Sequence, residues 1–294
     1  MGYSSRYHIA SLTAVFVALA VGILIGSELG GDVLDSTREN LEQSLTGDLD
    51  RSRAQNEELR RELARARDFG SAAVVPLVAD RLAGRRYALV GFGSLPDSVT
   101  EPVEGILDEA GATLVGVGVV REPPSIEGLA DQLDGQAFLT PDGERVRLRA
   151  YGRVAGRQLV LGGPVFRRTR AELMSSSSGS FGLLDGVVVY RGPLPEGEVG
   201  APPRRQSRIL SASMTEGMVS TGADLAGVEG ADEERSSVPF FESRRIPSVD
   251  SVDLESGQLS LVYVLGGAQG KFGVKDGADS FLPRISRPSS GGND

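Results

Sequence analysis

The sequence predicts an α/β protein held to a membrane. It reads as a single N-terminal transmembrane helix, a coiled-coil stalk, and a three-layer α/β domain with a mainly parallel sheet. Three observations carry this reading. Residues 9–27 (IASLTAVFVALAVGILIGS) hold no charged side chain. Residues 33–68 set a heptad of apolar positions in a dense mixture of Glu, Asp and Arg. From 72 to 283, short runs rich in β-branched residues are interspersed with stretches of helical spacing, the pattern of a parallel sheet covered on both faces.

At about 1.5 Å per residue, the segment 9–27 reaches roughly 28 Å, close to the hydrocarbon thickness of a bilayer. Its polar side chains are Ser11, Thr13 and Ser27. A cleaved signal peptide is the competing reading. It would show a shorter apolar core, more basic residues ahead of it and small residues at −3 and −1. Here Arg6 is the one basic side chain ahead, and Ile25 or Leu24 occupies −3 for a cut after Ser27 or Gly26. Glu28, Asp32 and Asp35 follow on the other side. The positive-inside bias then places residues 1–8 in the cytoplasm and the bulk of the chain outside it. No second apolar run approaches 18 residues, so a single crossing is expected.

In the stalk, Leu45, Leu49, Ser52, Asn56, Leu59, Leu63 and Ala66 are spaced 4, 3, 4, 3, 4, 3. Leu49, Asn56 and Leu63 fall at a; Leu45, Ser52, Leu59 and Ala66 fall at d. Leu34 and Leu41 join this face only through a stutter near Leu45. An asparagine at an a position fixes register and strand number at some cost in stability. Within the anchor, Gly22 and Gly26 form a small-xxx-small pattern that lets two membrane helices approach closely. Both signals point to a homodimer through the coiled coil. The alternative is a solvated single helix that docks on its own domain.

The predicted strands of the domain are 87–92, 113–120, 158–161, 187–190 and 259–265, with a helix over 97–110. Residues 175–180 (SSSSGS) read as a flexible loop, 192–203 as a proline-rich loop, and 221–237 as an acidic, glycine-containing one. The Ser-, Pro- and Gly-rich tail 284–294 is expected to be disordered.

Composition excludes several functions. A net charge of −9 repels nucleic acid. Cysteine is absent, so an exported domain must fold on its core alone and thiolate metal sites are ruled out. Gly91 and Gly93 lack the third small residue of a dinucleotide loop, since Pro96 stands there. The run 266–271 fails as a phosphate loop, because Leu265 replaces its first glycine and Phe272 its hydroxyl residue. The one histidine, His8, lies at the edge of the membrane segment, so no Ser–His pair can form in the domain. Pairs such as Glu233–Glu234 lie in polar loops with nothing to position them. The chain is therefore not read as an enzyme, and no cofactor is established.

Copper(I) favours thioether and thiolate ligands. Met214 and Met218, at i and i+4, would share a helix face and are the candidate metal ligands, although methionine at that spacing also serves to fill a core.

Two parts of the chain resemble an actinobacterial family named after the mycobacterial copper transport protein B. One is the opening YHIASLTAVFVALAVGILIG (7–26) followed by the heptad helix. The other is PSVDSVD (247–253), the run to Leu265, and GKFGV (270–274). The resemblance implies a copper-homeostasis protein of the cell envelope. For some relatives it also implies a membrane partner and a role in cell separation through control of peptidoglycan hydrolases. It transfers no copper ligands, because no liganding motif is present to receive them. Two readings follow: an envelope protein supporting copper efflux, or a non-enzymatic coiled-coil module that binds a membrane partner involved in cell division.

Overall fold

The computed structural model describes residues 4–133, 141–196, 198 and 200–284, with the side chains of 4–6, 27–44, 141, 142 and 144 outside that description. The expectations for residues 1–3, for the side chains of Leu34 and Leu41, and for the tail 285–294 lie outside the described residues. The chain divides into two units after Ala66. Helix α1 (Ser4–Val78) forms the first unit, and its final turns belong to the second. It carries one stretch, Tyr7–Gly26, long and apolar enough to cross a membrane.

The second unit is built on seven strands. These are β1 (Arg86–Phe92), β2 (Thr113–Val120), β3 (Met174–Gly179), β4 (Gly186–Arg191), β5 (Asp224–Val228), β6 (Ser248–Val249) and β7 (Lys271–Phe272). Their order in the sheet is β3-β2-β1-β4-β5-β6-β7, and every pairing is parallel except β2 with β3. One face is covered by α2 (Asp97–Glu109), α8 (Glu255–Leu265) and the end of α1. The other is covered by α3 (Ile126–Gln132), α4 (Pro141–Leu161), α5 (Pro164–Leu173), α6 (Pro202–Val219) and α7 (Val238–Glu242). The period of two along each strand feeds both layers. Tyr87 and Leu89 enter the first core; Ala88, Val90 and Phe92 enter the second. This is the expected three-layer architecture.

Two predicted strands are helices instead. Residues 259–265 (LSLVYVL) form most of α8, and each of these seven is buried. A helix packed on all sides loses its polar stripe, and its run of apolar residues then looks like a central strand. Residues 158–161 end α4, whose buried stripe is Leu148, Tyr151, Ala155 and Leu159, at helical spacing. Four strands lie outside the predicted set, two of which, β6 and β7, have only two residues each. The serine run is β3, an edge strand paired antiparallel to β2, with Ser178 opposite Val117. Ladder bonds come from the backbone, so a serine-rich sequence can fill an exposed edge, and polar edges resist further pairing. Strand β5 lies inside 221–237, and its Gly227 leaves room for the Phe241 ring that a methyl there would strike. The glycine run after α8 caps a helix: Gly266 is the C-cap, and Gly267 takes φ +104°.

Helices α4 and α6 meet backbone to backbone. A methyl on Gly156 would collide with the Met214 carbonyl, and one on Gly217 with the Arg153 carbonyl. Gly156→Ala should therefore destabilise the domain by about 1–3 kcal/mol. Gly105→Ala on the open face of α2, where nothing stands within 4 Å, should instead stabilise it by about 0.5–1 kcal/mol through helix propensity. Thermal melts of the full chain in detergent, followed by circular dichroism, check both signs. A neutral Gly156→Ala would refute the close approach.

Candidate functional site

Gly22, Gly26, Leu45, Leu49, Asn56, Leu59 and Leu63, the residues expected from spacing to pair two chains, lie on α1. Nothing stands within 4 Å of a side chain built at Gly22 or Gly26. Leu45, Leu49, Leu59 and Leu63 are 59, 54, 63 and 52% exposed. Asn56 donates its amide to the Ser52 carbonyl at 3.0 Å, one turn back on the same helix. The stalk is otherwise charged, with Asp48–Arg51 at 3.0 Å and Glu58–Arg61 at 3.3 Å as exposed i,i+3 pairs. Such pairs add only tenths of a kcal/mol. The four leucines are exposed apolar residues of α1.

Met214 and Met218 lie on α6 and are fully buried in the core between α6 and the sheet, among Leu148, Leu159 and Leu210. There the thioethers fill volume, and an ion would need a path through the packed layer to reach them. His8 lies on the exposed anchor. Among the described residues, no group of three or more His, Cys, Asp or Glu side chains converges to hold a metal.

The polar chemistry of the domain gathers at the carboxyl ends of β1, β4 and β5. The chain turns from β1 through α2 to β2 on one side of β1, and β4 adds on the other, followed by α6 on the opposite face. That reversal opens a crevice, the usual ligand position in an α/β sheet. Arg191, the last residue of β4, reaches Glu122 just beyond β2, with Nη1 2.7 Å from Oε2. The two side chains are 7 and 1% exposed, and Oε1 of Glu122 is buried without a hydrogen bond. Burial raises the Glu122 carboxyl above its ordinary value against the opposing charge of Arg191. The Arg191 guanidinium also lies 5.8 Å from the Phe92 ring and 5.6 Å from that of Phe240.

Beside this pair, burial and the Glu233 carboxylate push the Tyr190 hydroxyl up to about 12, so it stays protonated. Glu229 is completely buried. Its carboxylate accepts from the Ser237 hydroxyl at 2.7 Å and from Lys275 Nζ at 2.8 Å. Lys275 Nζ donates also to the Gly230 carbonyl at 2.8 Å. These groups escaped the sequence reading. Their signal was a charge abutting an apolar run: Arg191 after VVVY, Glu122 two residues beyond VGVV, and Glu229 directly after β5. Of the acidic pair considered from sequence, Glu233 is held by the Gly230 amide at 3.1 Å. A cleft of about 880 Å³ opens here, lined by Tyr190, Arg191, Phe240 and Arg244 among others.

The family described as copper transport outer membrane protein, MctB, matches residues 3–158, more than half of the chain. The chain belongs to that family. It is also similar to proteins named copper transporter MctB from Mycobacterium bovis and Mycobacterium tuberculosis. Identity is 24% over 310 aligned positions, covering 94% of this chain and 98% of each relative. The resemblance carried by the anchor and by the C-terminal motifs is therefore a family relationship.

The Glu122–Arg191 pair has a pH signature. With its carboxyl value raised, folded Glu122 keeps its proton where the unfolded chain has released it. The stability it contributes therefore falls as pH rises from the ordinary value of 4.5 through the raised one. Glu122→Gln should flatten the slope of unfolding free energy against pH in that window, measured by urea denaturation of the full chain. Arg191→Met, which strands the carboxylate, should cost about 3–5 kcal/mol near neutral pH. Parallel slopes for wild type and Glu122→Gln would show that the carboxyl is unperturbed.

Proposed function

We propose that this member of the copper transport family is a membrane-anchored accessory of copper efflux in the cell envelope, acting as a homodimer and without a catalytic step of its own. The family match over the anchor, the stalk and the first part of the domain carries this reading. Copper enters as the cargo of the system it serves. The buried Met214 and Met218 stay only as candidate ligands, reachable if the α4–α6 layer opens. The anchor is helical, a form suited to a cytoplasmic membrane, whereas outer-membrane spans are closed β-barrels. Arg6 ahead of the span and acidic residues behind it favour an inward N-terminus with the domain outside.

A second reading draws on the exposed leucine strip of α1. In it the stalk is an interaction module that binds a membrane partner and acts on cell separation through peptidoglycan hydrolysis. The two readings share the stalk and differ in readout.

Deleting the gene should raise cell-associated copper several-fold at matched sub-toxic copper, as measured by mass spectrometry. The wild-type chain should restore it. The double variant Leu49→Arg/Leu63→Arg should fail to restore it and should lose the cross-linked dimer. Unchanged copper with chained, unseparated cells would favour the second reading. A fully active monomeric double variant would remove the role of the coiled coil from both.

A further inference from the structure

We propose that the crevice at the carboxyl end of β4 is a binding site for a small ligand bearing two or more phosphoryl groups. The inference stands on the domain alone and does not depend on the copper reading.

The first observation is charge. The chain carries −9 overall, yet Arg191, Arg204, Arg208, Arg235 and Arg244 line one cleft of about 880 Å³. Its floor is the end of β4. One wall is the first turns of α6; the other is the 233–237 segment with α7 and Arg244. Two carboxylates share the cleft, Glu233 and Glu234. Glu233 accepts from the Gly230 amide and interacts with the Tyr190 hydroxyl. A second groove of about 900 Å³ shares Arg208 and Arg244 and extends the positive surface to Arg145, Arg149 and Arg153 of α4. Its carboxylate, Glu216, is bonded to Arg153 at 3.0 Å.

The second observation is that one of these guanidinium groups, that of Arg244, is only partly open to water. Arg244 lies 3.9 Å from the Phe240 ring centroid, and Arg191 lies 5.6 Å from the same ring. Arg244 Nη1 donates to two neutral oxygens, the Phe240 carbonyl at 2.7 Å and the Ser243 hydroxyl at 2.8 Å. Its Nε is buried without a hydrogen-bond partner. Burial makes this guanidinium harder to keep charged, against the opposing charge of Glu216, and Arg191 adds a smaller push in the same direction as burial. Glu122 offsets Arg191; among the described residues, no carboxylate is bonded to Arg244 in the same way. An arriving anion would supply what that group lacks.

Guanidinium forks match the oxygens of phosphoryl groups in bidentate geometry. A cleft of this volume suits a small molecule, while the negative charge of the whole chain disfavours a long nucleic acid.

Isothermal titration of the full chain in nonionic detergent tests the site with pyrophosphate and citrate. A third probe is a short-chain phosphatidic acid below its micelle concentration. Pyrophosphate should bind saturably, and at least tenfold more tightly than citrate. Arg208→Gln and Arg244→Gln should each weaken it tenfold or more with unchanged thermal midpoints, while Arg168→Gln on α5 should leave it unchanged. Preference for the lipid over pyrophosphate, with the same dependence on Arg208, would also support a phosphoryl site and identify its source as a membrane headgroup. No saturable binding of either phosphoryl probe, citrate binding as tightly as pyrophosphate, or full affinity in Arg208→Gln would overturn the proposal.

Discussion

Burial of β1 and β4 on both faces is the constraint on which the rest of this domain depends. Each side chain along these strands enters one of two apolar cores, so none of the inner positions can hold a charge. Polar residues are pushed to the strand ends. Arg191 is the last residue of β4, and its charge is met immediately by Glu122 after β2. At the carboxyl edge, α2 leaves β1 toward one face and α6 leaves β4 toward the other, which opens the space those charges line. The location of the crevice is thus a consequence of sheet topology, and its character follows from the residues that end the strands.

The far edge of the sheet is held differently. Strands β6 and β7 have two residues each, too few for a ladder to hold by itself. Asp250 supplies the missing connection, accepting from the amides of Val274 at 2.8 Å and Lys275 at 3.1 Å. Gly273 is required beside it, since a methyl there would collide with the carboxylate. Asp253 takes the Ala231 amide at 2.7 Å, and Lys275 closes onto Glu229. The motifs PSVDSVD and GKFGV, which carried the C-terminal family resemblance, are therefore two halves of one fastening. Their chemistry explains the joining of short strands and the positioning of the 229–237 segment.

Most of the layered architecture was legible, because β1, β2 and β4 announce themselves as β-branched runs and α2 as an amphipathic stretch. The errors have two physical sources. Helix α8 is buried all round, so it lacks the periodic polar face that separates helix from strand. Strand β3 is an exposed edge and needs no apolar residues beyond Met174, so its serines resembled a linker. The site was less legible. Gly22, Gly26 and the leucine seam follow from spacing alone, whereas Arg191, Arg244 and Glu122 come together only through sheet order and crossovers. Met214 and Met218 do share a helix face, as their spacing requires, and that face is the one packed into the core.

The stalk sets a different physical problem from the domain. The domain buries its apolar side chains in two cores of its own, with Val74 and Val78 at the end of α1, and Leu82 just beyond it, contributing to one of them. Leu45, Leu49, Leu59 and Leu63 belong to the other unit and stand more than half exposed. That helix does not need them to form, since alanine, arginine and glutamate have equal or better propensity. Fully burying a leucine is worth about 1.5–3 kcal/mol. In the homodimer we propose, a strip of leucines at a and d positions in an otherwise charged helix would supply the association energy. Asn56 at the central a position of that coiled coil would lower the strength of the association while limiting the registers in which it could occur.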